Sequence, residues 1–439
     1  MTVNAESRIL IVGAGCFGLS SAYHLLKRGY KNVTVIDRSA VLPAPDAAST
    51  DINKIVRSSY PDIFCTRLAR EAIDAWKNRE EWGDAYHESG VYCPLKVGEL
   101  YTDKAYENDV TLGARIEHIG DADAVRKVFP PSVNIHVPEN ARGYLNRDGG
   151  WAFAAQSIQT LMDRVTASGG KIIPGKPIVD LLKTYGKTTG VRCEDGSTYD
   201  ADLVVLSVGS WTASAFPELH LQGQCLATGQ CVATIQLTPE EGDLYRDCPV
   251  FLNFHTGFYM FPPNRDNVVK LAIHDGGYTQ MLADARTQEP VSTPRTVASH
   301  GVDGLRIPKA ALQKLRTELA QVYPELARKP FAGTRLCWYT DSSDDNWLIG
   351  YHPQDPNLVL ATAGSGHAFK FLPIIGRLVA DAIEGTLPPD VANRFAVGRP
   401  QVTGKDGVVE PEIRYHPPEK LVEEQLCTPE DLQPVPVSA

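Results

Sequence analysis

Four cationic side chains stand in short segments where a positive charge needs a reason. Lys54 and Arg57 lie three residues apart in Asn53-Lys54-Ile55-Val56-Arg57, Lys270 alternates with Ala272 and His274, and Lys370 closes the run Gly364-Ser365-Gly366-His367-Ala368-Phe369-Lys370. Residues three apart share one side of a helical turn, so Lys54 and Arg57 are expected to converge on one cleft. A planar guanidinium grips a carboxylate at two points, which suits Arg57 to anchoring an anionic substrate. On a strand, Lys270 and His274 face the same way from otherwise apolar sequence, and such a pair needs solvent or a cavity. Lys370 follows a glycine turn expected to open a helix, electrostatically a poor place for an idle cation.

The elements that must position these groups start at the N-terminus. Arg8–Val12 reads as a buried parallel strand. Gly13-Ala14-Gly15-Cys16-Phe17-Gly18 follows, then Leu19, Ala22, Leu25 and Leu26 recur at helical spacing as far as Gly29. A second apolar run, Val33–Ile36, ends in Asp37. This is the order of a dinucleotide cradle: Gly13 for the tight turn, Gly15 for backbone approach to a diphosphate, and Gly18 for helix–strand packing. The diphosphate would sit on the open N–H groups of the helix, and Asp37 would accept hydrogen bonds from a ribose. An acid there disfavours a 2′-phosphate, so NADP is the poorest fit. The glycine pattern alone does not choose between NAD and FAD.

Two further apolar runs end in glycine, Ala201–Val208 before Gly209 and Leu358–Ala363 before Gly364. With the first they imply one sheet gathered from the start, middle and end of the chain, a layout that leans toward FAD. The last run precedes a helical stripe at 374/375, 378/379 and 382/383, closed by Gly385. Between these, Gln230–Gln236, Gly257–Phe261 and Asn267–Ile273 read as strands of a largely antiparallel second domain. The expected division is a discontinuous nucleotide-binding domain (1–85, 146–214, 331–395), a substrate domain (86–145, 215–330), and an extended tail over 396–439. Two domains also follow from the length of 439 residues.

The 43 basic and 53 acidic residues leave a formal charge of −10, which gives no general pull toward nucleic acid or anionic lipid. No apolar run is long enough to span a bilayer. The nine cysteines are odd in number and lack metal-ligand spacing, so neither a disulfide framework nor a metal site is expected. A reducing compartment fits, and Val437-Ser438-Ala439 is not a peroxisomal tripeptide, which makes the cytosol the expected location.

The segment Arg335-Leu336-Cys337-Trp338-Tyr339-Thr340-Asp341, followed by Ile349, His352-Pro353 and Gly364–Lys370, resembles the monomeric sarcosine oxidase family of flavoenzymes. That family includes pipecolate and saccharopine oxidases and the fructosyl amino acid oxidases (amadoriases). The resemblance runs through most of residues 7–390. It implies an α/β FAD-binding domain, Rossmann-like and of the D-amino-acid-oxidase type, plus an α+β substrate domain with a mainly antiparallel sheet. It also implies FAD joined to Cys337 through the 8α-methyl carbon. The FAD contacts it implies are Gly13, Gly15, Cys16, Phe17, Gly18, Asp37, Arg38, Asn53, Lys54, Gly209, Trp211, Asp341, Gly364, Ser365, Gly366, His367, Ala368 and Lys370.

By the same resemblance, Arg57 and Lys370 hold a substrate carboxylate. Lys270 promotes reaction with oxygen through water, His274 lies near the substrate amine, and Tyr259 belongs to the pocket. Fructosyl amino acid oxidases carry an acid where His274 stands, and their C-terminal arginine has no clear counterpart beside Arg394 and Arg399. The expected function is therefore an FAD-dependent oxidase of N-methyl or cyclic secondary α-amino acids, releasing an imine and hydrogen peroxide. The alternatives are a fructosyl amino acid oxidase, a nicotinamide-dependent dehydrogenase and a flavin-binding sensor. Expected partners are a small amino acid and O2, with no nucleic acid or membrane, the chain acting as a monomer.

Overall fold

The computed structural model describes residues 3–96, 98–400 and 416–434. Arg8–Val12 lies at the heart of a six-stranded sheet, paired in parallel with Asn32–Ile36 on one side and Leu203–Leu206 on the other. Lys171–Ile173 extends the first side. Asp355–Thr362 and then the antiparallel Leu348–His352 extend the second. The three apolar runs ending in glycine are thus neighbours, as their shared character implied. They need no alternation because both faces are covered, one by helices and the other mainly by Val191 and Cys193 of the strand Lys187–Cys193 with Ala213 and Phe216. One covering helix, Cys16–Lys27, packs on another, Ile375–Glu384, where the Ser20 hydroxyl donates to the Leu372 carbonyl at 2.7 Å. Gly385 ends the second helix with a left-handed φ of 69°.

The second body is a ten-stranded sheet. Leu226–Gln236 pairs antiparallel with Val268–Ile273, which pairs antiparallel with Phe258–Met260. The sheet continues through Val250–Leu252 to Val91–Pro94, Gly143–Asn146 and Ile116–Ile119. The mainly antiparallel character matches the expectation for this part.

Three placements differ from the sequence reading. Gly333–Asp341 was expected with the nucleotide-binding segments, but it pairs with Leu226–Gln236 from Leu226↔Asp341 to Thr234↔Gly333. The reason is visible in the strand: Leu336 and Trp338 are buried in the core of the second sheet. Lys54–Val56 is not a helical turn but a short strand paired with Gly150–Ala152. The expected tail is in part docked: Glu419–Lys420 pairs with Tyr278–Thr279, and Leu426 and Cys427 are buried. The rest of that tail, 401–415 and 435–439 with Val437–Ala439 in it, lies outside the described residues.

Candidate active site

A cavity of about 850 Å3 is lined by residues of both sheets. Its nucleotide end is the turn after Arg8–Val12. Gly13 has a φ of 106°, and a Cβ there would lie 2.4 Å from the Ser207 carbonyl oxygen, so no other residue fits the turn. A Cβ on Gly18 would lie 1.9 Å from the Gly13 carbonyl. At Gly15, by contrast, it would meet only Ser49 Oγ at 3.3 Å and otherwise fill the cavity. Helix Cys16–Lys27 has Gly15 as N-cap, no capping side chain and no acid in its first turn, so its N–H groups are open to an anion. The Asp37 carboxylate accepts the N–H of Ala14 and of Ser39, each at 2.8 Å, which fixes it beside that turn. The Arg38 guanidinium stacks on Trp211 at 3.7 Å, making a flat wall. Ser207 Oγ is buried beside the turn without a hydrogen-bond partner among the described residues. A diphosphate with a ribose and a flat base fits these donors and spaces.

The other end of the cavity holds the chemistry. Lys54 and Lys270 both place Nζ 2.6 Å from Oδ2 of Asp51, and Lys270 also donates to the Asn53 carbonyl at 2.7 Å. Burial favours the neutral form of all three. For Asp51 the attraction of Lys270, Lys54 and Arg335 outweighs burial and holds the carboxyl well below its usual range. For Lys54 the attraction of Asp51 outweighs burial and raises it. Lys270 is the group that gives way: burial pulls it down to about 8, with the Asp51 attraction opposing and Lys54 repulsion adding. One carboxylate cannot compensate two buried ammonium groups.

Arg57 and Lys370 meet on Tyr60. The guanidinium lies 4.4 Å from that ring centre and Lys370 Nζ lies 4.9 Å from it. Lys370 also donates to the Tyr60 hydroxyl and, at 3.0 Å, to the His367 carbonyl. Arg57 donates to the Ser59 carbonyl and reaches Tyr101 Oη at 3.4 Å. Tyr259 and Tyr339 line the same cavity, and burial pushes both phenols up. The His274 ring lies 5.7 Å from that of Tyr339. Gly366 permits this approach, since a Cβ there would come within 2.9 Å of both rings.

Of the residues expected at the site, Gly13, Gly15, Cys16, Phe17, Asp37, Arg38, Lys54, Arg57, Gly209, Trp211, Tyr259, Lys270, His274, Gly364, Gly366, His367, Ala368 and Lys370 line the cavity. Five stand behind its wall. Gly18 packs on Gly13, and Asn53 is wholly buried with its side-chain amide unpartnered among the described residues. Asp341 accepts the Thr228 hydroxyl, and Ser365 is tied to Thr340 and Ala363. Cys337, 2% exposed, sets its sulfur 3.6 Å from Lys54 Nζ, one side chain from the cavity. Arg394 pairs with Asp62, and Arg399 pairs with Asp344 at 2.6 Å; neither lines the cavity.

Asp51, Tyr60 and Tyr339 were not singled out in the sequence. Tyr339 was the most accessible to reasoning, because strand alternation places it on the face of Cys337. Asp51 precedes Lys54 by three residues, a spacing that carries no signal on its own.

The FAD dependent oxidoreductase family model matches residues 8–382, and the chain belongs to that family. It is a flavin-dependent oxidoreductase with FAD as cofactor, and the nicotinamide alternative falls away. The chain is 31% identical over 397 residues to L-saccharopine oxidase of Schizosaccharomyces pombe, covering 86% of this chain and 90% of that one. It is 24% identical over 422 residues to monomeric sarcosine oxidase of an Arthrobacter species, covering 93% and 100%. Among solved structures it resembles the deglycating fructosamine oxidase of Aspergillus fumigatus (Amadoriase II), with a TM-score of 0.78 and 30% identity over 90% of this chain and 89% of that one.

Proposed function

We propose that this protein oxidises an N-methyl or cyclic secondary α-amino acid, releasing an imine and hydrogen peroxide. The observation that carries this reading is the meeting of Arg57 and Lys370 on Tyr60 in the cavity that also holds His274 and Lys270. The two cations would take the substrate carboxylate, which leaves its amine and α-carbon to be set by Tyr259, Tyr339 and His274. Fixing one end of a small substrate in this way supplies up to about 7–11 kcal/mol of barrier reduction in favourable cases. The amine must be neutral before its α-C–H bond breaks. Lys54, Arg57, Lys270 and Lys370 around the cavity disfavour an ammonium by like-charge repulsion.

FAD, held by Gly13, Gly15, Asp37, Arg38, Trp211, Lys54 and Gly364–Ala368, would take up the hydride equivalent and pass the electron pair to oxygen. Lys270 offers a buried positive charge for the anion that oxygen becomes as it gains its first electron. We assign Cys337 as the covalent anchor. Its thiol and the 8α-methyl group would form a thioether, losing two protons and two electrons that oxygen takes up as hydrogen peroxide. Its place at the cavity wall, with the sulfur 3.6 Å from Lys54 Nζ, supports this.

A peroxide-coupled screen of N-methyl, cyclic and fructosyl amino acids tests the reading. Turnover of N-methyl or cyclic substrates is expected. Turnover confined to fructosyl amino acids would establish the deglycating alternative, which the likeness to Amadoriase II favours and which His274, not being an acid, disfavours. The sensor alternative requires that no amine reduce the bound flavin.

A further inference from the structure

A single carboxylate oxygen serves two lysines. Oδ2 of Asp51 lies 2.6 Å from Nζ of Lys54 and 2.6 Å from Nζ of Lys270, and the side chains of Asp51 and Lys270 are only 2% and 1% exposed. The groups that face this trio come from every neighbouring element. Arg335 and Cys337 approach from the strand Gly333–Asp341, and Tyr259 approaches from Phe258–Met260. Asp46 bears on Arg335. Of these, Asp51 is the acid bonded to both ammonium groups. Without it, both ammonium groups would lose the carboxylate they share, and the more buried Lys270 would be the one to lose its proton. Asp51 also lines a second cavity of about 790 Å3 with Thr50 and Arg335, so it stands between that groove and Lys270.

We propose that Asp51 is a positioning residue for the oxygen reaction, holding the Lys270 side chain in place and in its charged form while dividing that hold with Lys54. The inference rests on the role given above to Lys270. A geometric consequence follows: the two lysines compete for one oxygen, so removing either changes the charge on the other.

The test uses the FAD-loaded protein at rest. The visible absorption of the flavin, recorded from neutral to alkaline pH, should show a transition near pH 8 that is absent from Lys270→Met. Asp51→Asn should move its midpoint down by about 1–3 units, and Asp51→Glu, which keeps the carboxylate, should restore it toward wild type. Lys54→Met should move it upward, because Asp51 then serves one amine. An unchanged midpoint in both Asp51→Asn and Lys54→Met overturns the proposal. If Asp51→Asn fails to fold or to load FAD, Lys54→Met decides alone, and no upward shift overturns it. A separate measurement guards the functional reading: reduced Lys270→Met that reoxidises in oxygen at the wild-type rate removes Lys270 from the oxygen step, whatever the titration shows.

Discussion

Lys270 illustrates how far a neighbourhood can move one side chain. In water its amine would hold a proton to about pH 10.5, yet burial brings it down to about 8. Between those values the unfolded chain binds more protons than the folded one, so this residue's contribution to stability rises with pH. Its contribution to chemistry runs the other way, because the positive charge offered to oxygen disappears over the same interval. Reoxidation of the reduced enzyme by oxygen should therefore slow as pH passes upward through 8, measured by stopped-flow absorbance. Lys270→Met should be slower by about 100-fold or more and lose that pH dependence. At Cys337 the expected outcome is qualitative. Wild-type protein denatured in acid should keep its yellow colour and carry the added mass of FAD, whereas Cys337→Ser should fold and release the flavin. Flavin still attached to the serine variant would place the bond at another residue.

At the scale of elements, the first strand, turn and helix divide their work among three glycines with different consequences. Gly18 is a packing residue: a methyl group there would run into the Gly13 carbonyl at 1.9 Å, a backbone atom that cannot rotate away. Gly18→Ala should cost about 1–3 kcal/mol of stability, read from urea unfolding of the apoprotein. Gly15 is a space residue, whose added methyl would enter the cavity and meet little else. Gly15→Ala should leave apoprotein unfolding nearly unchanged and lower the ratio of bound flavin to protein. Equal losses of stability in the two variants would contradict this division. The short strand Lys54–Val56 shows a different limit. Its three residues carry no period long enough to distinguish strand from turn, so a helical turn was an equally natural reading. Pairing with Gly150–Ala152, nearly 100 residues away, decides it.

Over the whole molecule, what could be read in the sequence was local, and what could not was pairing at a distance. The glycine-ended runs announced their sheet because each is apolar on both faces. Most of the expected cavity wall was legible because its residues sit at the ends of those runs or in motifs around them. Asp51 was not, since its importance comes from Lys270, more than 200 positions later. The C-terminal segment was read as an extended tail because Leu421, Leu426, Cys427 and Leu432 are too sparse for any periodicity, yet Cys427 belongs to the second core, Leu421 and Leu432 pack against it, and Leu426 is buried. This segment also reaches toward the active cavity through polar contacts. Glu423 pairs with the buried guanidinium of Arg295 at 2.9 Å, the Arg295 carbonyl accepts Trp338 Nε1–H at 2.7 Å, and Trp338 lines the cavity. Removing the carboxylate leaves a guanidinium 2% exposed with one strong acceptor fewer. Glu423→Ala should therefore cost about 1–3 kcal/mol in urea unfolding. Deleting residues 416–439 should cost more, because it also takes Cys427, Leu421 and Leu432 from the second core and the pairing of Glu419–Lys420 from Tyr278–Thr279, and the shortened protein should hold FAD less completely. Unfolding midpoints and flavin content equal to wild type would mean that the segment lies on the enzyme without being part of its folded body.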